Sequence, residues 1–210
     1  SEYHTSCAAT IACNRGCGFS QVVDCAVTHG EASQSQAVHT AVAEYNGEQF
    51  TDTMLTDEET TFHVFDSTES KNCIISVVKL SEAAYSYAGV KSITVTSEYG
   101  IIPTPERDRK IEFIGDSITC GYGIDAADQY EDFSTTNENG GKTYAALIAK
   151  HFKADFSVFS QSGIGVYSSY TESSSPNQSV LMPKLYSKTD PTNTQSEWDF
   201  SKWQPDVVVI

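Results

Sequence analysis

Basic residues are scarce in this 210-residue chain, with 13 Lys and Arg set against 28 Asp and Glu for a formal charge of −15. Nucleic-acid binding draws its affinity from clustered Lys and Arg neutralising phosphates, so the composition argues against it. An anionic membrane surface is disfavoured for the same reason. No apolar run approaches the ~18 residues that mark a membrane-spanning helix. The opening residues, SEYHTSCAAT, lack the basic stretch that starts a signal peptide. Paired C-x2-C knuckles are missing, and so is any repeat of solenoid length. A neutral ligand such as a sugar is compatible with such an acidic surface.

Apolar material is not lacking. Eleven Tyr, ten Phe and a 39% hydrophobic content exclude a disordered acidic tail, because enough area is available to offset chain entropy. The length allows one large domain or two small ones. Of six cysteines, Cys7, Cys13, Cys17 and Cys25 crowd the first segment, and Cys73 and Cys120 follow. Three readings stay open for them: disulfides of a secreted protein, a zinc site completed by His4 or His29, or buried free thiols. Cys120 reads as a small packed side chain rather than a reactive thiol.

Three segments follow along the chain. Residues 1–35 are rich in Ser, Ala, Gly and Cys, with weak periodicity, and remain unassigned. Residues 36–105 read as all-β. Thr61–Phe65 and Val90–Thr96 alternate, and Cys73–Leu80 is a longer β-branched run. Asn46-Gly47 and the stretch from Asp66 to Ser70 read as turns. The pattern implies a β-sandwich or jelly roll, in whole or in part. Tyr99–Lys110, with two prolines and a charge cluster, reads as a linker. Residues 106–210 then read as an α/β domain with a parallel sheet. Ile111–Ile114 is a strand, and Gly141–Phe152 a helix with Tyr144, Leu147, Ile148 and His151 on one stripe. Phe156–Phe159 and Val207–Ile210 are further strands, the last one buried. A chain that stops inside a core strand is expected to continue beyond it.

The chemistry concentrates in Ile111-Glu-Phe-Ile-Gly-Asp-Ser-Ile-Thr-Cys-Gly-Tyr-Gly123. Ser117 falls just past the carboxyl end of the first strand, where open α/β sheets place ligands. Gly115 allows a tight strand-to-helix turn. Backbone N–H groups at the following helix start are suited to receive an oxyanion. Two readings of Asp116 and Ser117 stand side by side here, helix capping and nucleophilic catalysis. The Gly121–Ala126 stretch imitates a dinucleotide fingerprint but starts too late after the strand. A second Gly-containing loop, Ser160-Gln-Ser-Gly-Ile-Gly165, leaves the next strand beside Ser117 and offers the Gly163 N–H.

IGDSITCGYG, SQSGIGV, MPKLY and the closing W-x-P-D-V-V-V-I resemble the SGNH (GDSL-type) hydrolases. Among these, the pattern is similar to the acetyl esterases of carbohydrate esterase family 2. Val77-Val-Lys-Leu-Ser-Glu82 with Ala88-Gly-Val90 resembles the end of that family's jelly roll, where a K-x-x-E pattern recurs. The resemblance implies that Ser117 is the nucleophile, with its own N–H and that of Gly163 as oxyanion donors. Asp116 would be structural. The family's third oxyanion donor, an Asn in a G-x-N-D block, and its general-base His after D-x-x-H would fall after Ile210. The implied full-length protein is a secreted esterase that removes acetyl groups from polysaccharide or oligosaccharide of the xylan or glucomannan type. It needs no cofactor or metal, and these 210 residues alone are expected to be inactive. A non-catalytic carbohydrate-binding protein on a degenerate hydrolase fold, or a lipid or thioester hydrolase, are the alternatives.

None of the five histidines reads as a substitute base. His151 belongs to a helix end, and His4, His29, His39 and His63 precede the hydrolase segment. Tyr122 and Tyr167 flank the two site loops and are candidate pocket walls. Asn177-Gln-Ser179 is a glycosylation sequon, and Asp57-Glu58-Glu59 is most simply a solvated loop, with a weak alternative as a calcium site.

Overall fold

The computed structural model describes residues 8–13, 21–31, 38–45, 48–55, 59–67, 73–96, 101–103, 106–189 and 195–210. Side chains are described for residues 59–61, 63, 77–85, 88–96, 106–189 and 195–210. The candidate disulfide and zinc residues Cys7, Cys13, Cys17, Cys25 and Cys73, with His4 and His29, fall outside the described side chains. Asn46-Gly47 lies outside the described residues altogether. Two compact units divide the chain. One comprises Cys7–Ser81 with Tyr85–Glu106, and the other Glu82–Ala84 with Arg107–Ile210.

The first unit is antiparallel β throughout its described strands. These are β1 (Ala8–Cys13), β2 (Gln21–Glu31), β3 (Val38–Tyr45), β4 (Glu48–Leu55), β5 (Glu59–Ser67), β6 (Cys73–Lys79), β7 (Ser86–Thr96) and β8 (Ile101–Pro103). They form one sheet in the order β4-β3-β6-β1-β8 and a second in the order β5-β2-β7. The three alternating or β-branched runs read from sequence fall in β5, β6 and β7. The stretch 1–35, which carries no clear periodicity, contributes β1 and β2. Asp66 and Ser67 are not turn residues: they end β5, opposite Val22 and Gln21. The proline-containing stretch read as linker holds β8, which pairs with β1 so that Ile102 faces Ala12.

The second unit is an α/β fold. Its elements are β9 (Lys110–Gly115), α1 (Ser117–Cys120), a 3-10 turn (Gly140–Lys142), α2 (Tyr144–Phe152), β10 (Asp155–Ser160), α3 (Met182–Leu185) and β11 (Val207–Val209). The sheet is parallel, in the order β10-β9-β11. β9 is buried on both faces, as expected of a central parallel strand. Ile111 and Phe113 point to one side and meet Ala145, Ala154 and Val158, with Tyr144, Ile148 and Val209 packed around them. Ile114 points to the other, where Phe159, Ile164 and Met182 form a second cluster with Leu185 and Tyr186. Phe113 is fully buried and meets Tyr144 edge-to-face, with centroids 5.8 Å apart.

Helix α2 corrects the expected stripe. It starts at Tyr144, capped by the Thr143 hydroxyl, rather than at Gly141. Its fully buried positions are Ala145 and Ala149, while Leu147 is 59% exposed and His151 faces solvent. Two small side chains let the helix close onto the sheet, which turns the larger Leu147 outward. β11 also differs from expectation. The strand forms, and within these 210 residues Val207, Val208 and Ile210 are exposed, β9 being the neighbour of β11 among the described strands. Asp206 fixes its start: its carboxylate accepts the Lys110 N–H (2.8 Å) and its own N–H donates to Lys110 O (2.8 Å). Among the described residues no helix is long and apolar enough to cross a membrane.

Candidate active site

The strand order fixes where a ligand can enter. From β9 the chain moves to β10 on one side and returns to place β11 on the other. The carboxyl end of β9 is therefore a topological switch point, where open α/β sheets leave a crevice. Asp116 and Ser117 follow that end directly. Asp116 is the N-cap of α1, and its Oδ1 accepts the Ile118 N–H at 3.1 Å. The capping reading therefore holds for Asp116. Ser117 is the first residue of α1 and half-buried. Its carbonyl accepts the N–H groups of Gly121 (3.1 Å) and Tyr122 (3.0 Å) as the helix ends. Gly121 closes the helix at φ +89°, and an added Cβ would lie 2.5 Å from Asn139 O. A non-glycine residue there meets both strain and clash.

Gly115 does something other than turn the chain. It ends β9 in strand conformation, and a Cβ on it would fall 2.0 Å from Thr119 Oγ1 and 2.8 Å from Thr119 Cβ. Thr119, itself buried, occupies that space and shares a 2.8 Å hydrogen bond with the Tyr144 hydroxyl. Glycine here lets α1 fold back onto the strand that carries it, which sets the position of Ser117.

The second loop leaves β10 alongside. Ser160 pairs with Gly115, and Gln161 N–H reaches Gly115 O at 3.4 Å. Gly163 is exposed at φ +76°, and its carbonyl accepts the Tyr170 N–H at 2.7 Å. The two loops singled out from sequence thus emerge from the same edge of adjacent parallel strands. Tyr122 is 46% exposed and stacks on Phe133, with centroids 3.9 Å apart and planes within 11°. Burial, then the charge of Glu82, raises its phenol above the ordinary value. Tyr167 is 69% exposed.

Cys120 is buried, and its thiol donates to Ser160 Oγ at 3.1 Å. Burial pushes that thiol well above its ordinary value, Glu82 and Glu138 push it further, and the Ser160 hydroxyl pulls it partly back. A protonated, enclosed thiol is packing rather than a nucleophile, in line with the sequence reading. His151 stands edge-to-face with Phe152 in the last turn of α2, which leads into the amino end of β10. The six residues of β10 separate it from the Ser117 edge by roughly 16 Å of strand. His63 is on β5 of the other unit, and the side chains of His4, His29 and His39 are outside the described set.

Two buried acids went unnoticed in the sequence as site components. Glu82 is 4% exposed and Glu138 fully enclosed. With Cys120 they bring three potential ligand atoms within 4.8 Å of one another. The protonated thiol is a poor metal ligand, and one oxygen of each carboxylate already accepts a backbone N–H. The arrangement is a hydrogen-bonded relay in this chain, and no metal is assigned to it. Of the Asp57-Glu58-Glu59 run, only Glu59 lies among the described residues, where it pairs with Lys91 at 2.5 Å. Asn177 of the sequon donates from Nδ2 to Tyr170 O at 3.2 Å.

No protein-family model matches the chain. It is 42% identical over 103 residues to the cellulase/esterase CelE of Acetivibrio thermocellus, covering 49% of this chain and 12% of that protein. It is 36% identical over 110 residues to an acetylxylan esterase / glucomannan deacetylase of Cellvibrio japonicus, covering 50% of this chain and 29% of that protein. In structure it superposes on a family two carbohydrate esterase from Clostridium thermocellum, solved in complex with cellohexaose. The TM-score is 0.78 and the identity 23%, over 99% of this chain and 58% of that one. The chain resembles the acetyl esterases of carbohydrate esterase family 2. Its α/β unit has the parallel sheet expected from the reading of residues 106–210. The chain corresponds to a part of each of these relatives, the shares being those just given.

Proposed function

We propose that the full-length protein is a serine esterase that removes acetyl groups from carbohydrate, with xylan or glucomannan as the substrate class. Ser117 Oγ attacks the acetyl carbonyl carbon, and the N–H groups of Ser117 and Gly163 receive the oxyanion that forms. The sugar oxygen departs with a proton as a free hydroxyl. Water then attacks the acetyl-enzyme, releasing acetate and restoring the Ser117 hydroxyl. Tyr122 and Tyr167 are proposed as the pocket wall, their ring faces suited to pyranose rings. The observation that carries this reading is the pairing of Gly115 with Ser160, which brings the Gly-Asp-Ser turn and the Ser-Gly-Ile-Gly loop to one edge of the sheet. The antiparallel unit corresponds in this proposal to the family's jelly roll, and the protein to a secreted one.

A histidine is needed as general base, because an unassisted serine hydroxyl is a weak nucleophile. His151 is at the wrong edge of the sheet for that role. The 210 residues alone are therefore proposed to have little turnover, the base coming from a further segment of the full-length protein. The test is hydrolysis of 4-nitrophenyl acetate and of acetylated xylo-oligosaccharide by the full-length protein, its Ser117→Ala variant and the 210-residue chain. Ser117→Ala should lower kcat at least about a thousandfold. Retained turnover in that variant removes Ser117 as the nucleophile. A 210-residue chain as active as the full-length protein removes the proposal about the base.

A further inference from the structure

Glu82 reaches two residues far along the chain in the α/β unit. Its Oε2 accepts the Ser162 N–H at 2.8 Å, 80 residues further on, and its own N–H donates to Glu138 Oε2 at 3.0 Å. Both carboxylates are buried, Glu82 at 4% and Glu138 at 0% exposure. Burying a carboxylate is costly, and hydrogen bonds to the ion are what offset it. The fold holds two acids in series at this point.

The series joins the two site loops. Gly121, which ends the helix begun by Ser117, accepts the Asn139 N–H at 3.1 Å. The next residue back is Glu138, which holds the Glu82 backbone, and the Glu82 carboxylate holds Ser162. Ser162 immediately precedes Gly163. On its other side, the Gly163 carbonyl is fixed by Tyr170 N–H (2.7 Å), and Ile164 N–H closes back onto Gln161 O (3.2 Å). Cys120 adds a parallel tie from α1 to β10 through Ser160. The peptide that carries the Gly163 N–H is therefore clamped on one side by Glu82 and on the other by the loop's own turn.

We infer that Glu82 is a positioning residue: its buried carboxylate sets the Gly163 N–H relative to Ser117 and so shapes the oxyanion site. The inference rests on the esterase reading above. It touches neither substrate nor reacting atoms and acts through Ser162. Oxyanion donors work only when held within a few tenths of an ångström of the developing charge. A misplacement near 1 Å costs about a hundredfold in rate. Loss of the clamp should therefore lower kcat and leave ground-state binding almost untouched.

The test uses the full-length protein and 4-nitrophenyl acetate, with Glu82→Ala, Glu82→Gln and Ser117→Ala. Amide hydrogen exchange across Gln161–Gly163 is followed in each variant. Glu82→Ala is expected to lower kcat ten- to a hundredfold with KM within about threefold, and to speed exchange at Ser162. Glu82→Gln keeps an acceptor oxygen and should restore most of both. A folded Glu82→Ala with kcat within twofold of wild type overturns the inference. A tenfold loss in Glu82→Gln with native exchange also overturns it, since charge rather than acceptance would then be responsible. If Glu82→Ala does not fold, Glu82→Gln decides alone: activity within threefold and protected Ser162 exchange support the clamp. Equal turnover in wild type and Ser117→Ala would remove Ser117 as the nucleophile, and a full-length wild type without turnover would sink the esterase reading itself. The exchange data would then judge the hold of Glu82 on the loop separately.

Discussion

Replacing Gly115 with Ala adds one methyl group where no room exists. The new Cβ would stand 2.0 Å from Thr119 Oγ1 and 2.8 Å from Thr119 Cβ. A rotamer change can remove the hydroxyl, but Thr119 Cβ is tied to the α1 backbone, so the helix itself must move by several tenths of an ångström. Overpacking of that kind costs about 1–3 kcal/mol. Turning the hydroxyl away also breaks its 2.8 Å hydrogen bond to the buried-side Tyr144 hydroxyl, at about 1 kcal/mol more. The sum, about 2–4 kcal/mol, should lower the Tm of the α/β unit by roughly 8–16 °C. Differential scanning calorimetry of wild type, Gly115→Ala, Thr119→Ala and the double variant measures it. Thr119→Ala alone should cost about 1 kcal/mol, the lost hydrogen bond plus a methyl. Because both substitutions act on one contact, the double variant should be more stable than additivity predicts by at least about 1 kcal/mol. Additive losses, or a Gly115→Ala variant within 0.5 kcal/mol of wild type, roughly the spread of ordinary surface substitutions, would refute the steric account. Esterase kcat on the same variants should fall with Gly115→Ala, since α1 carries Ser117.

Four further outcomes are expected. Phe113→Ala, which empties a fully buried position between α2 and the sheet, should destabilise the α/β unit by about 3–5 kcal/mol in denaturant titration. Tyr186→Phe removes the 2.6 Å donor to the buried Glu112 carboxylate and should cost about 1–3 kcal/mol by the same measurement. The Tyr186 phenol is pushed up to about 12 by burial and by its hydrogen bond to Glu112. The folded form therefore holds a proton that the unfolded form releases near 10, so this contribution is intact below pH 10 and is lost as pH rises toward 12. Wild type should lose its advantage over Tyr186→Phe across that window. Cys120 should resist maleimide at neutral pH in the native state and label once the chain is unfolded, as read by peptide mass mapping.

Much of the α/β unit was legible because its signals are local. Ile111–Ile114 and Phe156–Phe159 are short apolar runs bounded by Gly, Ser and charge, and both are strands within a residue or two of those bounds. The Gly-Asp-Ser turn and the Ser-Gly-Ile-Gly loop could be placed beside each other because parallel strands share one carboxyl edge. Helix α2 was legible as a helix but not in its facing. Leu147 satisfies the stripe on paper, yet Ala145 and Ala149 win the interior because their size sets how closely helix and sheet approach. Strands β1 and β2 were illegible since neither alternates cleanly, and their place depends on pairing with β6, β5 and β7 far along the chain.

Glu82 shows the limit of such reading most clearly. In sequence it ends a strand-like run as the acid of a K-x-x-E pattern, which names no partner for it in the α/β segment. The residues around it do not foretell its hold on the α/β unit, because its bonds to Glu138 and Ser162 span 56 and 80 residues. A nucleophile announces itself through the local turn it needs, since that turn is built from neighbours. A residue that holds two distant loops together has no local signature, only a requirement for an acceptor at one point in space. Positioning groups of this kind are thus the part of an active site that sequence reasoning is least able to find. They are also the part for which a substitution that preserves the acceptor, Glu82→Gln, separates geometry from charge.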